Sequence, residues 1–348
     1  MTRPCAALQR TGRAAALQRV DRAVPLLLLL FLLLLLGGCS VLPVALDPQG
    51  SNAGQTTQIA WVLFWGGAAI FLAVMLLAAC AVYLPPARRA WLGKPAFVIG
   101  AGIVFPLVTL SALLVYTFKV SGQLDGARAT SPLRIQVVGE MWWWRVRYLD
   151  ADGAVLLSTA NELHIPVGRA IELRLQTADV LHSFWVPQLA GKLDLIPGRT
   201  NVLRIQADRA GVYRGQCAEF CGAQHAKMAF HVVAQAPPDF DAWLAAQQLP
   251  ATAPDKPLLA RGAALFSSHC AACHTVRGSS AAGLLGPDLT HVGSRIAIAA
   301  GSLPNNAGTL AGWIAASQHL KPGNKMPSFD RFTGAELSAL AGYVESLQ

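Results

Sequence analysis

The sequence predicts a multidomain, membrane-anchored chain: a two-helix transmembrane hairpin, then an all-β sandwich, then an all-α C-terminal domain. Three observations carry that prediction. Two uncharged apolar runs, Ile59 to Leu84 and Ala96 to Phe118, lie close together in the first third of the 348-residue chain. Each can cross a hydrocarbon core of about 30 Å at about 1.5 Å per residue. From Leu133 the apolar period falls to two, the period of half-buried strands. Near the C-terminus Leu337, Leu340 and Tyr343 return to helical spacing, on a helix that would close against an earlier one carrying Gly262 and Phe266.

Residues 1–38 read as a secretory signal. Arg3, Arg10, Arg13, Arg19 and Arg22 form a basic region, Leu26 to Leu36 an apolar core too short to span comfortably, and Gly37-Gly38 a small-residue end. The Gly-Gly-Cys39 step resembles a bacterial lipoprotein box, which implies cleavage before Cys39 and a lipidated segment over 39–58. The alternative is an uncleaved third span. Hydrophobic residues make up 53% of the chain, concentrated before residue 119. The net charge of +9 comes mostly from the leader and one short loop; beyond residue 119 cations and acids nearly balance. No basic patch points to nucleic acid.

The hairpin occupies 59–118. Its loop, Pro85 to Pro95, carries Arg88, Arg89 and Lys94, so it reads as the cytoplasmic side, with Trp91 as an interfacial anchor. Both hairpin ends then face outward. The second span contains no acid.

The next domain, 119–236, alternates: Leu133, Ile135 and Val137 against Arg134 and Gln136; Ile171, Leu173 and Leu175 against Glu172, Arg174 and Gln176; then Met228, Phe230 and Val232. Turn residues separate these runs, notably Val167-Gly168, Pro197-Gly198 and Ala210-Gly211. The size and pattern suit a cupredoxin-like Greek-key sandwich.

Its chemistry concentrates in Cys217-Ala-Glu-Phe-Cys221-Gly-Ala-Gln-His225-Ala-Lys-Met228. Thiolate and thioether sulfur suit copper(I), and imidazole suits either oxidation state. Two thiolates four residues apart can bridge two coppers. A structural disulfide and a zinc site are the rival readings of the pair. A dinuclear site needs a second imidazole, and His182 upstream offers one.

These stretches resemble the CuA region of cytochrome c oxidase subunit II: Val180 to Pro187, Asp194 to Asn201 and the Cys217–Met228 loop. The resemblance implies that Cys217 and Cys221 bridge the coppers, and that His182 and His225 cap one each. It further implies Met228 as a weak ligand, Glu219 as a ligand through its carbonyl, and magnesium held by Asp194 and the Glu219 side chain. Gly139 to Tyr148 is similar to the family's aromatic segment, which implies that Trp142 lies exposed over the copper site and is where the electron enters. As strand residues, Trp142 and Trp144 would share a face and Trp143 would take the other. Many relatives carry a Glu near the start of the second span; Lys94 to Ile99 has none, a departure that bears on proton uptake.

Residues 237–256 read as a linker with a short helix near Phe240 to Gln248. The last domain, 257–348, contains Cys270-Ala-Ala-Cys273-His274, the C-x-x-C-H signature of covalent haem c attachment, in which the thiols bind the haem and the His the iron. With Gly286 to Leu289 and Lys325-Met326-Pro327 it resembles a class I cytochrome c domain. That implies Met326 as sixth iron ligand and the Pro287 carbonyl as partner of the His274 ring. His269 is a poor rival to Met326 because it lies too close in sequence; His291 and His319 read as surface residues.

The whole order resembles subunit II of a caa3-type cytochrome c oxidase. The resemblance implies an electron relay from a cytochrome c or bc1-type donor, through haem c and CuA, to subunit I. There O2 would be reduced to water with proton translocation. Subunit III and membrane lipid are further implied partners. The implied location is the bacterial inner membrane, multi-pass, with the copper and haem domains on the periplasmic side, and Trp142 turned toward the chain's own haem domain. The residues themselves agree: no nucleophile–base pair, phosphate loop or intramembrane histidine is present, so oxygen chemistry must lie on another chain. A membrane-anchored copper-delivery protein or a standalone electron carrier is the alternative; a quinol-type subunit II would lack the copper ligands.

Overall fold

The computed structural model describes residues 46–122 and 133–348. The predicted signal, Cys5 and Cys39 lie outside the described residues.

Two helices, α1 (Ser51–Tyr83) and α2 (Pro95–Ser121), are long and apolar enough to cross a membrane, and their most apolar stretches are wholly unburied. Helices apolar on every face and covered by no protein suit a lipid surround. Leu84-Pro85 ends α1, and the Arg89 guanidinium donates to the Ala81 carbonyl of its last turns. One π turn, Gly100–Val104, interrupts α2.

Helix α1 starts well before the apolar run at Ile59. Its 33 residues span about 50 Å, more than the roughly 30 Å hydrocarbon core. The surplus N-terminal turns are held by the sandwich. Gln49 N–H donates to Gln188 O (2.8 Å), Ala53 N–H to Leu189 O (3.2 Å), and the Asn52 amide to Arg204 O (2.9 Å). A Cβ at Gly50 would collide with Gln206 O.

The sandwich has two five-stranded sheets. Its strands are β1 (Leu133–Glu140), β2 (Trp143–Leu149), β3 (Val155–Ala160), β4 (Glu162–Pro166), β5 (Ile171–Thr177), β6 (His182–Trp185), β7 (Leu193–Leu195), β8 (Asn201–Ile205), β9 (Gly211–Cys217) and β10 (Ala229–Gln235). One sheet runs β3-β2-β1-β5-β8, the other β4-β10-β9-β6-β7. The predicted alternation sets the register: Ile135 opposes Leu173 and Val137 opposes Leu175, all fully buried. Between the sheets Trp144 meets Phe184 and Phe230 edge-on at 5.9 and 5.2 Å, and Phe184 stacks on Phe230 at 4.5 Å. Each such side chain contributes about 1.5–3 kcal/mol by burial. Trp144 is therefore the tryptophan wholly buried between the sheets. Trp142 sits in the turn before β2 and Trp143 lies half-buried under Arg145, whose guanidinium is 4.6 Å from the ring.

Helix α3 (Pro237–Gln248) opens on a proline, whose fixed φ favours the first helical position. It belongs to the sandwich: Phe240 is buried, and Trp243 stacks on His164 at 4.0 Å. Only 249–256 is left as connection.

The last domain contains α4 (Pro257–His269), α5 (Ala307–Leu320) and α6 (Gly334–Ser346), with a small hairpin of β11 (Ala297–Ile298) and β12 (Leu303–Pro304). Helix α6 is capped by a Thr333/Glu336 box. It crosses α4 at Gly262, where any Cβ would collide with Ala339 O. Phe266, Leu340, Tyr343 and Val344 fill the core between them.

Sandwich and helical domain meet along a hydrogen-bonded seam. Ile296 N–H donates to Glu162 Oε2 (2.8 Å), Ala229 N–H to Ala300 O (2.9 Å) and Arg145 Nη2 to Leu284 O (3.0 Å). Gln224 Nε2 donates to Pro322 O (2.8 Å) and Lys227 Nζ to Leu320 O (2.7 Å).

Candidate functional site

Strand pairing gathers the sulfur and imidazole donors at one end of the sandwich. Strands β6 and β9 are antiparallel with Phe184 opposite Cys217, so His182, at the start of β6, comes to the end of β9. The chain then loops through Cys221 and His225 before β10 begins just after Met228. Cys217 Sγ lies 3.7 Å from Cys221 Sγ, 3.9 Å from His182 Nδ1 and 3.2 Å from the Glu219 carbonyl. Cys221 Sγ lies 3.6 Å from His225 Nδ1 and 3.8 Å from Met228 Sδ. Both thiols are free, so the disulfide reading does not hold. His182, Cys217 and Cys221 are buried and close enough together to hold a metal ion.

The electrostatics favour a cation. The Cys221 thiol, hydrogen-bonded to Cys217, holds Cys217 well below the usual thiol range against the opposing effect of burial, and the same contact pushes Cys221 up. A thiolate at Cys217 is the form a metal would take. Burial disfavours charge on His182, but Cys217 and Asp179 together raise its pKa.

Asp179 is a residue the sequence reading missed. Its Oδ1 lies 2.9 Å from His182 Nε2, leaving Nδ1 to face the sulfurs, and its Oδ2 accepts from Met141 N–H at 2.8 Å. An acid three positions before a predicted ligand was the only available signal. Gly139 is another: a Cβ there would lie 2.7 Å from His182 Cδ2.

The structure does not bring Asp194 and Glu219 into a metal-holding cluster with a third donor among the described residues. The Glu219 carboxylate lies 4.0 Å from Lys192 Nζ, and Asp194 O accepts from the Asn201 amide at 2.7 Å.

Trp142 departs from the expectation of exposure: only 9% of it is accessible, because the haem domain lies over it. Its Nε1 donates to Cys221 O at 2.8 Å.

In the helical domain a cavity of about 440 Å³ is bounded by Cys270, Cys273, His274 and Met326, with Leu289, Trp313 and Leu340 among its apolar lining. Trp142, Trp143 and Arg145 of the sandwich complete its wall. Both thiols are free. Burial raises the Cys270 thiol to about 11 and lowers the His274 pKa, keeping the imidazole neutral as an iron ligand must be. His274 Nδ1 lies 2.8 Å from Pro287 O, which fixes the ring and leaves Nε2 free. A Cβ at Gly286 would fall 2.5 Å from His274 Cε1. An apolar chamber with paired thiols, a neutral imidazole and a thioether fits a covalently held haem, as the sulfur–imidazole cluster fits copper. Of the histidines read as surface residues, His291 is in fact buried, its Nε2 3.0 Å from Leu249 O of the connection.

Residues 148–235 match the family described as cytochrome c oxidase subunit II, periplasmic domain, and residues 259–348 match cytochrome c. The chain is 36% identical over 251 residues to cytochrome c oxidase subunit 2 of Alkalihalophilus pseudofirmus, covering 70% of this chain and 71% of that one. The chain belongs to the cytochrome c oxidase subunit 2 family. The subunit 2 of Bacillus sp. strain PS3 is 32% identical over 264 residues, covering 70% of this chain and 72% of the relative. A solved periplasmic domain of cytochrome oxidase subunit II from Bradyrhizobium japonicum is 31% identical over 34% of this chain and 94% of its own, with a TM-score of 0.30. As a cytochrome c oxidase subunit 2 with its own cytochrome c domain, this chain takes copper and haem c as cofactors. It associates with the other subunits of a membrane-bound oxidase.

Proposed function

We propose that the chain is subunit II of a caa3-type haem–copper terminal oxidase, and that it passes electrons from a donor through its haem domain to its copper domain and on to subunit I, where O2 is reduced to water with proton translocation. The observation that carries this reading is the placement of Trp142. Its ring stands in the wall of the haem cavity while its Nε1 donates to the carbonyl of Cys221. A single buried residue therefore adjoins both the cavity of the haem domain and the copper loop.

In this reading Cys217, Cys221, His182, His225, Met228 and the Glu219 carbonyl would hold a dinuclear copper centre. Cys270 and Cys273 would hold haem c covalently, with His274 and Met326 as the residues that would hold its iron. Bound there, copper and haem supply reversible one-electron transfer. The chain's own residues supply rigidity and dryness. The ligands sit on strand ends and one short loop of a packed sandwich, which limits rearrangement as charge changes. Asp179 and Pro287 fix the two imidazole rings. Fusion makes the haem-to-copper transfer intramolecular, so the rate of that step does not depend on the concentration of a soluble carrier. A magnesium site at Asp194 and Glu219 would need its remaining donors from another subunit. The donor is a cytochrome c or bc1-type protein, and subunit III completes the core. The hairpin is multi-pass in the bacterial inner membrane, with Arg88, Arg89 and Lys94 on the cytoplasmic side and both redox domains periplasmic. The signal at 1–38 and a lipidated Cys39 belong to the same reading.

Metal analysis and electron paramagnetic resonance of the purified full chain test it. A copper-to-iron ratio of two to one, with one unpaired electron shared equally by both coppers, is expected. A mononuclear copper signal, or no copper, overturns the dinuclear assignment and with it the relay.

A further inference from the structure

Lys321 follows α5 in the haem domain, yet only 4% of it is exposed. Its ammonium donates to Trp142 O at 2.7 Å, Lys227 O at 2.8 Å and Ala299 O at 3.3 Å. An ammonium offers three N–H groups, and each meets a carbonyl. No carboxylate pairs with it among the described residues. Burial pulls its pKa down to about 7, and in either protonation state its buried N–H groups need partners in place of water. Two of those bonds come from the sandwich, so these donors are satisfied only while the two domains are docked.

The same turn covers the ring of Trp142. A Cβ at Gly323 (φ +80°) would lie 3.5 Å from Trp142 Cη2, and one at Gly222 (φ +107°) 3.2 Å from Cζ2. Both glycines adopt backbone conformations that side chains disfavour, and through them the haem-domain turn and the copper loop both approach the indole. Lys321 holds the Trp142 carbonyl while Cys221 O accepts from its Nε1. The copper-ligand backbone, Trp142 and the haem-domain turn are thus one hydrogen-bonded chain.

We propose that Lys321 is a positioning residue for electron transfer within the chain, seating the haem domain on the Trp142 face of the copper domain. This rests on the reading of Trp142 as the electron path. The transfer it serves moves one electron, lost at the haem site and gained at the copper site, and Lys321 exchanges no proton in it. Among the described residues of the seam, Lys321 alone combines a buried amine with a direct bond to the Trp142 carbonyl.

The test compares the assembled oxidase with its Lys321→Met variant, which keeps the side chain's length and loses its donors. Amide hydrogen exchange over residues 141–143 and 320–323 reads docking; flash reduction of haem c, followed at the copper band, reads transfer. Faster exchange in both segments and transfer slower by about tenfold or more are expected, roughly the factor that one charge-assisted hydrogen bond contributes, with haem absorption and the copper resonance signal unchanged. Parent-like exchange and transfer in the variant overturn the proposal alone. Absence of haem-to-copper transfer in the parent overturns the reading of Trp142 and the proposal with it. Should Lys321→Met lose its haem spectrum, Lys321→Ala decides. It removes the same three donors and lets water reach the carbonyls they held; slower transfer with an intact haem spectrum supports the proposal and a parent-like rate overturns it.

Discussion

Asp179 shows how much of the copper site depends on a side chain that is no ligand. Its carboxylate accepts from His182 Nε2 and so selects the tautomer that presents Nδ1 to the sulfurs. Asp179→Asn keeps the shape but loses the charge that makes the imidazole a better donor. Copper affinity should fall about ten- to a hundredfold, measured by competition titration of the apo chain, with little change in unfolding temperature. The donors were legible because Cys217, Cys221, His225 and Met228 share one loop and copper chemistry constrains their types. Cys270, Cys273 and His274 were legible for the same local reason. Asp179 was not, since an acid three residues from a histidine is commonplace until β6 turns its ring back. His291 misled in the opposite sense. Nothing near it in sequence announces that the connection at Leu249 will fold over its ring.

Among elements, the pairing of α4 with α6 is the most exacting. Gly262 exists so that the two backbones can touch, and Gly262→Ala would drive a methyl into Ala339 O. Overpacking of that kind costs about 1–3 kcal/mol. Thermal unfolding of the holo chain should show the haem-domain transition lowered while the sandwich transition stays; an unmoved haem domain would count against the packing described. Element type was readable wherever periodicity was strong: both membrane helices, β1, β5, β10 and α6. Boundaries failed where a neighbour decided them. Helix α1 begins at Ser51 because Leu189 and Arg204 of the sandwich receive its first turns. Helix α3 belongs to the sandwich because Trp243 finds His164. Neither contact has a sequence signature, since each joins residues about 80 or more positions apart.

At the scale of the whole molecule, the seam carries a carboxylate whose protonation should matter. Burial pushes Glu162 up, but the His164 ring and the Ile296 N–H together hold it below the usual carboxylate range. A carboxylate with a depressed folded pKa stabilises fully above its unfolded value, near 4.3 for Glu, and loses that contribution as pH falls toward the depressed value. The parent should therefore exceed Glu162→Gln in stability by about 1–3 kcal/mol near neutral pH, with the gap closing below about pH 4. Paired thermal scans across that range check it, and a gap independent of pH would show that the contact is not electrostatic. None of this seam was readable from the sequence beyond the expectation that Trp142 would turn toward the haem domain. Its bonds join residues such as Glu162 and Ile296, or Trp142 and Lys321, that lie far apart in sequence.

The short connection between α3 and α4 sets a leash. Residues 249–256, fully extended at about 3.5 Å each, reach only about 28 Å. The Arg277 guanidinium further ties the end of α3, donating to Gln247 O and Gln248 O. If the seam opens, the haem domain can swing but cannot wander, and it stays within a domain's width of the face it left. Exchange with a neighbouring oxidase is thereby disfavoured, and a detached haem domain re-seats at home. Each enzyme in a crowded membrane would keep a private inlet, so that molecules share the donor pool but not the wiring behind it.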